Sequence, residues 1–150
     1  MVYSYCKEND QCTQSEVVAT ILNHFVSYLG SGCNGAKTEP EVANKIILAL
    51  KGIGNMGMLP SRNTSISQCM TDPAVPLEVR LGALDAFRRV PCRQLPLKAI
   101  LSVYTNTKED TEVRIKAYLN AMKCANRGII DTVKDTLYND EVNQGSYKQR

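Results

Sequence analysis

Six cysteines and one histidine are the residues of this chain whose chemistry is most distinctive. No cysteine pair is spaced C-x₂-C or C-x₄-C, and His24 has no second ligand type beside it, so the pattern does not describe a zinc site. Cys6 and His24 share a region, but a cysteine-hydrolase dyad needs a third, orienting group and an exposed thiolate. No serine stands in a G-x-S-x-G context. The chain therefore reads as a non-enzyme without metal or cofactor. An even number of widely spaced cysteines fits disulfides in an oxidising compartment. Asn63-Thr64-Ser65 is a glycosylation sequon, which makes Asn63 a candidate site in the same compartment. Cys6 and Cys12 flank a polar turn, KENDQ, and a bridge across so short a loop is geometrically possible. Gly52, Gly54 and Gly57 match Gly-x-Gly-x-x-Gly, but they follow a helical pattern rather than a strand and open no helix directly after. They suit a left-handed cap and close helix packing instead of a nucleotide.

The elements that position these residues are repeated helices. Glu78 to Val90, EVRLGALDAFRRV, places Val79, Ala83, Ala86, Phe87 and Val90 on one stripe, with Arg80, Asp85, Arg88 and Arg89 around it. A second copy begins 34 residues later at Glu112, and a looser one 37 residues earlier at Glu41. A period in this range marks stacked helix pairs. Between the copies the chain predicts further helices. One follows a capping-box pattern at Thr13 and carries Val17, Val18, Ile21, Leu22, Phe25, Val26 and Leu29, with Gly30 and Gly32 at its end. The Glu41 helix opens at Pro40, and Ala43, Ile46, Ile47, Leu50 and Ile53 form its apolar face. A short helix covers Ser65 to Met70. Pro91 stops the Glu78 helix, and Pro96 starts one through Leu97, Ile100, Leu101 and Tyr104. Asp110 or Thr111 caps the Glu112 helix, Asn126-Arg127-Gly128 breaks it, and Ile129, Ile130, Val133 and Leu137 mark a last helix. Residues 139–150 read as a polar tail. The fold class is all-α, a right-handed superhelix of about seven helices in stacked antiparallel pairs, spanning 1–150 as one partial domain. Asp110-x-x-Val113-Arg114 also resembles the Asp-x-x-Val-Arg signature of HEAT repeats.

With 150 residues the chain is long enough for a real core, and a mean hydropathy of −0.24 is ordinary. No stretch approaches the roughly 20 apolar residues of a membrane span. The net charge of +3 is spread and interleaved with acids, which argues against nucleic-acid binding. The seven tyrosines are scattered rather than gathered into a base-stacking platform. The opening residues, MVYSYCKEND, hold no signal-peptide core, so a secreted origin implies a piece of a longer precursor.

Three segments carry a family resemblance. Leu48 to Gly57 is similar to the helix-plus-Gly-Asn-x-Gly segment of the large lipid transfer proteins: vitellogenins, apolipophorins, apolipoprotein B and the microsomal triglyceride transfer protein. Val79 to Arg89 resembles the family's next, Ala-rich helix, and Glu112 to Leu119 its Arg-x-Ala-Ala-Tyr segment. The matches are collinear over roughly residues 33 to 140. The resemblance implies part of an α-superhelix that wraps β-sheets of the same parent chain around a lipid cavity. It implies an extracellular protein and a bridge between Cys33 and Cys69. Cys6–Cys12 is a local pair that relatives share. Cys92 and Cys124 sit near the ends of equivalent helices in adjacent repeats, and stand equally as a bridge or as two buried thiols. The lipid-enclosing sheets are not in this sequence, so no lipid-contacting residue is assigned, and an apolar interface is expected on the inner side of the superhelix. The leading function is a scaffold segment of a lipid-transport protein. The alternative is a HEAT-like protein-interaction module with no lipid role, for which reduced cysteines would speak.

Overall fold

The computed structural model describes residues 2–8, 12, 15–60 and 64–148. Eight α-helices lie within them: α1 (Val2–Glu8), α2 (Glu16–Leu29), α3 (Pro40–Met56), α4 (Thr64–Thr71), α5 (Leu77–Asp85), α6 (Leu97–Thr105), α7 (Thr111–Met122) and α8 (Arg127–Lys148). Short 3₁₀ turns cover Asn34–Lys37 and Cys92–Gln94, and no strand occurs among the described residues. Each helix packs on its successor in the pairs α2–α3, α4–α5 and α6–α7. The pairs then stack: α3, α5 and α7 lie side by side in one layer, with α1 beside α3, while α2, α4 and α6 form the other. This is an all-α superhelix. Its Glu-Val helices make up one layer.

The layering follows from the stripes. Val79, Ala83, Ala86, Phe87 and Val90 are all buried, and Phe87 is completely so. Ile46, Leu50 and Ile53 of α3 and Val113, Ala117 and Ala121 of α7 belong to the same continuous core. No helix of this length hides its apolar side alone, so each repeat completes its neighbour.

Several local features differ from the sequence reading. α5 ends at Asp85 rather than at Pro91. Beyond it the hydrogen bonds tighten to i→i+3, from Phe87 N–H to Leu84 O and from Val90 N–H to Phe87 O. Carbonyls at this end also accept donors from the next repeat. Asn120 donates to Leu84 O (2.9 Å), and Lys123 donates to Phe87 O (3.1 Å) and Arg88 O (2.7 Å). Burial pushes the Lys123 ammonium down from its ordinary value. The hydroxyl at the start of α2 is that of Ser15, which accepts from Val18 N–H; Thr13 lies outside the described residues. The Glu112 helix ends at Met122, and Asn126 caps the helix that follows, its Oδ1 accepting from Ile129 N–H at 2.9 Å. The polar tail is helical as far as Lys148, because α8 runs on through it. On α2, Val17 is 69% exposed and only Leu22 and Leu29 are buried, since the helix touches neighbours on one side alone.

The two glycines of α3 and Gly57 just after it each accept a different neighbour. A methyl group at Gly52 would meet the Phe25 ring of α2 at 2.6–2.9 Å. One at Gly54 would meet Arg88 and the Ala86 backbone, and one at Gly57 the Tyr3 ring of α1. Gly57 also closes the helix at φ 67°, the left-handed region. Gly52→Ala is expected to destabilise the chain by about 1–3 kcal/mol through overpacking against Phe25. Thermal unfolding checks this, and an unchanged midpoint would mean that Phe25 moves aside freely.

Candidate functional site: ties between repeats and the exposed face of the Glu-Val layer

Two arginines at the same place in their copies join the repeats. Arg80 of α5 donates from Nε to Val75 O (3.0 Å), and its guanidinium pairs with Glu109 in the turn before α7. Arg114 of α7 donates from Nε to Tyr104 O (2.8 Å) and pairs with Asp140 of α8 at 2.8 Å. Each arginine thus holds a carbonyl of the chain just before its own helix and a carboxylate one element further on. A guanidinium suits this double task because its donors form a rigid planar fork. The Arg80–Glu109 pair is the more enclosed, with side chains 11% and 7% exposed. Sequence reading placed Arg80 among the polar residues around a stripe and missed the tie. The available signal was the recurrence of Glu-Val-Arg at both Glu78 and Glu112.

The other side of the same helices faces outward. Leu48 of α3 and Leu119 of α7 occupy equivalent positions in their copies and are 66% and 58% exposed. Ile115, half exposed, and Leu81, half-buried, are likewise equivalent. Between α3 and α5 this face holds an open groove of about 550 Å³ with Ile47, Leu81 and Gly82 in its lining. Lys51, Glu78, Asp85 and Lys116 also line it, and the last two form an ion pair at 2.8 Å. An apolar floor with a mixed-charge rim is the make-up of a protein contact surface rather than of a catalytic pocket. Exposed apolar side chains are not confined to this face: Val17, Ile21 and Tyr28 on α2, and Leu137 and Tyr138 on α8, are also open. His24 is exposed and stacks edge-on against Tyr28 at 5.3 Å, far from Cys6 chemistry, since Cys6 is bridged.

The structure brings the cysteines together in three pairs. Cys33 and Cys69 are joined with Cα atoms 5.2 Å apart and are fully buried between the loop after α2 and helix α4. Cys6–Cys12 ties α1 to Cys12, and Cys92–Cys124 joins the loop after α5 to the residues just after α7. Cys92 is exposed and Cys124 half-buried, so neither is a buried thiol. Among the described residues no cysteine is free and no group of three or more acidic, histidine or cysteine residues could hold a metal ion. Three bridges fit an oxidising compartment. Among the described residues no helix is long and apolar enough to cross a membrane. Asn63 lies outside the described residues.

Graded reduction is expected to separate the bridges. Thiolate attack requires access, so Cys92–Cys124 should open first under mild dithiothreitol and Cys33–Cys69 only as the chain unfolds. Differential alkylation with peptide mapping reads the order, and early labelling of Cys33 would contradict it.

Known proteins share this arrangement of sequence. The vitellogenin TPR domain family matches residues 1–145. The chain belongs to that family, and with it to the large lipid transfer proteins. Apolipophorins of Locusta migratoria are 32% identical over 145 residues, 95% of this chain and 4% of that protein. Apolipophorins of Drosophila melanogaster are 33% identical over 146 residues, 96% of this chain and 4% of theirs. Vitellogenin of Penaeus merguiensis is 27% identical over 146 residues, 96% of this chain and 6% of its own length. The chain therefore spans only a small part of these relatives. No solved structure matches it.

Proposed function

We propose that this vitellogenin TPR segment is a non-catalytic scaffold within an extracellular lipid-transport protein. Its Glu-Val layer lies against β-sheets of the same parent chain, and those sheets, not the helices, enclose the lipid. The observation that carries this reading is the recurrence of exposed Leu48 and Leu119 at equivalent positions of α3 and α7, with Ile115 exposed one turn before Leu119. Water-exposed leucines repeated in register lower the free energy only when something apolar covers them. The mechanism is mechanical. The arginine ties and the bridges fix the spacing of successive helices, so the covered face keeps a constant shape while the cavity fills and empties. Cys6–Cys12, Cys33–Cys69 and Cys92–Cys124 serve as structural bridges, and Asn63 carries the glycan in this reading. The three bridges favour it over a HEAT-like intracellular interaction module.

Leu48→Glu combined with Leu119→Glu tests the reading in the full-length polypeptide. Both side chains are exposed, so the helical fold should persist by circular dichroism. Lipid carried per protein molecule, read by extraction and buoyant density, should fall severalfold. Unchanged loading would sink the scaffold assignment.

A further inference from the structure

We propose that the groove between α3 and α5 seats one extended segment of the parent chain's β-sheet, its backbone resting on Gly82 and an acidic side chain reaching Lys51. The inference rests on the scaffold reading and names the contact at one place on the covered face. Gly82 carries it. The residue sits inside α5, where glycine costs helix stability relative to alanine. Nothing in the chain's own fold asks for it. Its φ is not in the left-handed region. A methyl group there would meet only Leu50, at 3.4 and 3.9 Å, which is ordinary contact. Gly52 and Gly54 of α3 differ, since a methyl group on either would overlap a neighbour. In the other two copies the equivalent residues are Lys45 and Lys116, so the repeat sets no size limit at this position. Gly82 lines the groove, and a close approach from outside accounts for a glycine that neither backbone nor packing requires.

The groove also selects the kind of occupant. Its volume is about 550 Å³. A helix, about 10–12 Å across with its side chains, does not enter a space of that size, whereas an extended segment does. Ile47 and Leu81, both half-buried, offer apolar contact beside Gly82. Ile47 and Lys51 lie one turn apart on α3, about 6 Å along its axis. Alternate residues of a strand face the same way and are roughly 6.6 Å apart. An apolar side chain on Ile47 therefore brings the side chain two residues on beside Lys51. Charge decides what that side chain is. Lys116 and Asp85 neutralise each other across the groove at 2.8 Å. Lys51 is exposed and makes no ion pair among the described residues. Lys51 and Arg88 then stand against Glu78 alone, and the excess of positive charge favours an acidic occupant.

The test is zero-length carbodiimide cross-linking of the full-length polypeptide, which condenses a lysine amine with a carboxylate in contact with it. Lys51 is expected to join an aspartate or glutamate outside residues 1–150, in a segment whose apolar residues alternate with polar ones. Lys116 should join Asp85 in the same sample, which reports that the helices stand as described. Gly82→Leu fills the groove and should lower the Lys51 yield roughly tenfold, with the Lys116 product unchanged. In the 150-residue chain Gly82→Ala should raise the thermal midpoint by about 1–4 °C. A lowered midpoint would mean that the fold itself needs the glycine, and would overturn the proposal. So would Lys51 joining Glu78, a helical segment or a second polypeptide, or joining nothing. If Leu48→Glu with Leu119→Glu empties the protein of lipid while Lys51 gives no such product, the scaffold reading stands and this seat alone falls.

Discussion

Arg80→Ala is expected to destabilise the chain by about 3–5 kcal/mol, because it leaves Glu109 charged, enclosed and unpaired. The Glu109 side chain is only 7% exposed, and its one other recorded hydrogen bond is from Asp110 N–H. Val75 O would lose its Arg80 partner as well, in a residue that is 1% exposed. The double variant Arg80→Met with Glu109→Leu should recover most of the loss, since removing both charges removes the stranded one. A surface pair behaves otherwise, contributing about 0–1 kcal/mol whichever partner is removed. Arg114 fills the same place one copy on, but its pair with Asp140 is more open, at 18% and 25% exposed. Arg114→Ala should therefore cost clearly less. Urea unfolding of the three variants decides the matter, and equal small effects would show that neither arginine couples the repeats.

The sequence pattern made the layering legible because burial and periodicity coincide on α3, α5 and α7. Val79, Phe87 and Val113 recur at helical spacing, and all three are fully buried in one core. Periodicity says less about which side of an apolar helix meets a partner. Val17 and Ile21 share the stripe of α2 with Leu22 yet face outward, because only contacts from α3 and α4 select the buried side. The end of α5 was illegible for a different reason. Ala86, Phe87 and Val90 continue the stripe, and the signals that close the helix, Asn120 and Lys123, come from a helix more than 30 residues on. The 3₁₀ turn Cys92–Gln94 was hidden in the same way between two prolines. The sequence reading expected apolar surface only as a class, without naming positions. Which positions carry it depends on how α3 and α7 each pack against α5, which no local pattern states.

Phe87→Ala should show whether the repeats behave as one cooperative unit. Phe87 has no exposed surface and lies just after α5, the helix between α3 and α7 in the Glu-Val layer. Removing its ring is expected to cost about 3–5 kcal/mol, the sum of lost transfer energy and an unfilled cavity. In a solenoid the position of a loss matters as much as its size, since each repeat is stabilised chiefly by its neighbours. A defect in the middle severs the coupling between the α2–α3 pair and the α6–α7 pair. The guanidinium transition should therefore broaden, and amide exchange should rise on α5 and α7 before α3, which keeps its contacts with α1 and α2. Ile129→Ala near the start of α8 removes a residue as well buried, but it lies outside the stacked pairs and should leave the transition sharp. If Phe87→Ala lowered the midpoint with no broadening and uniform exchange, α1 to α8 would fold as one closed globule, and stacking would not be the principle of this architecture.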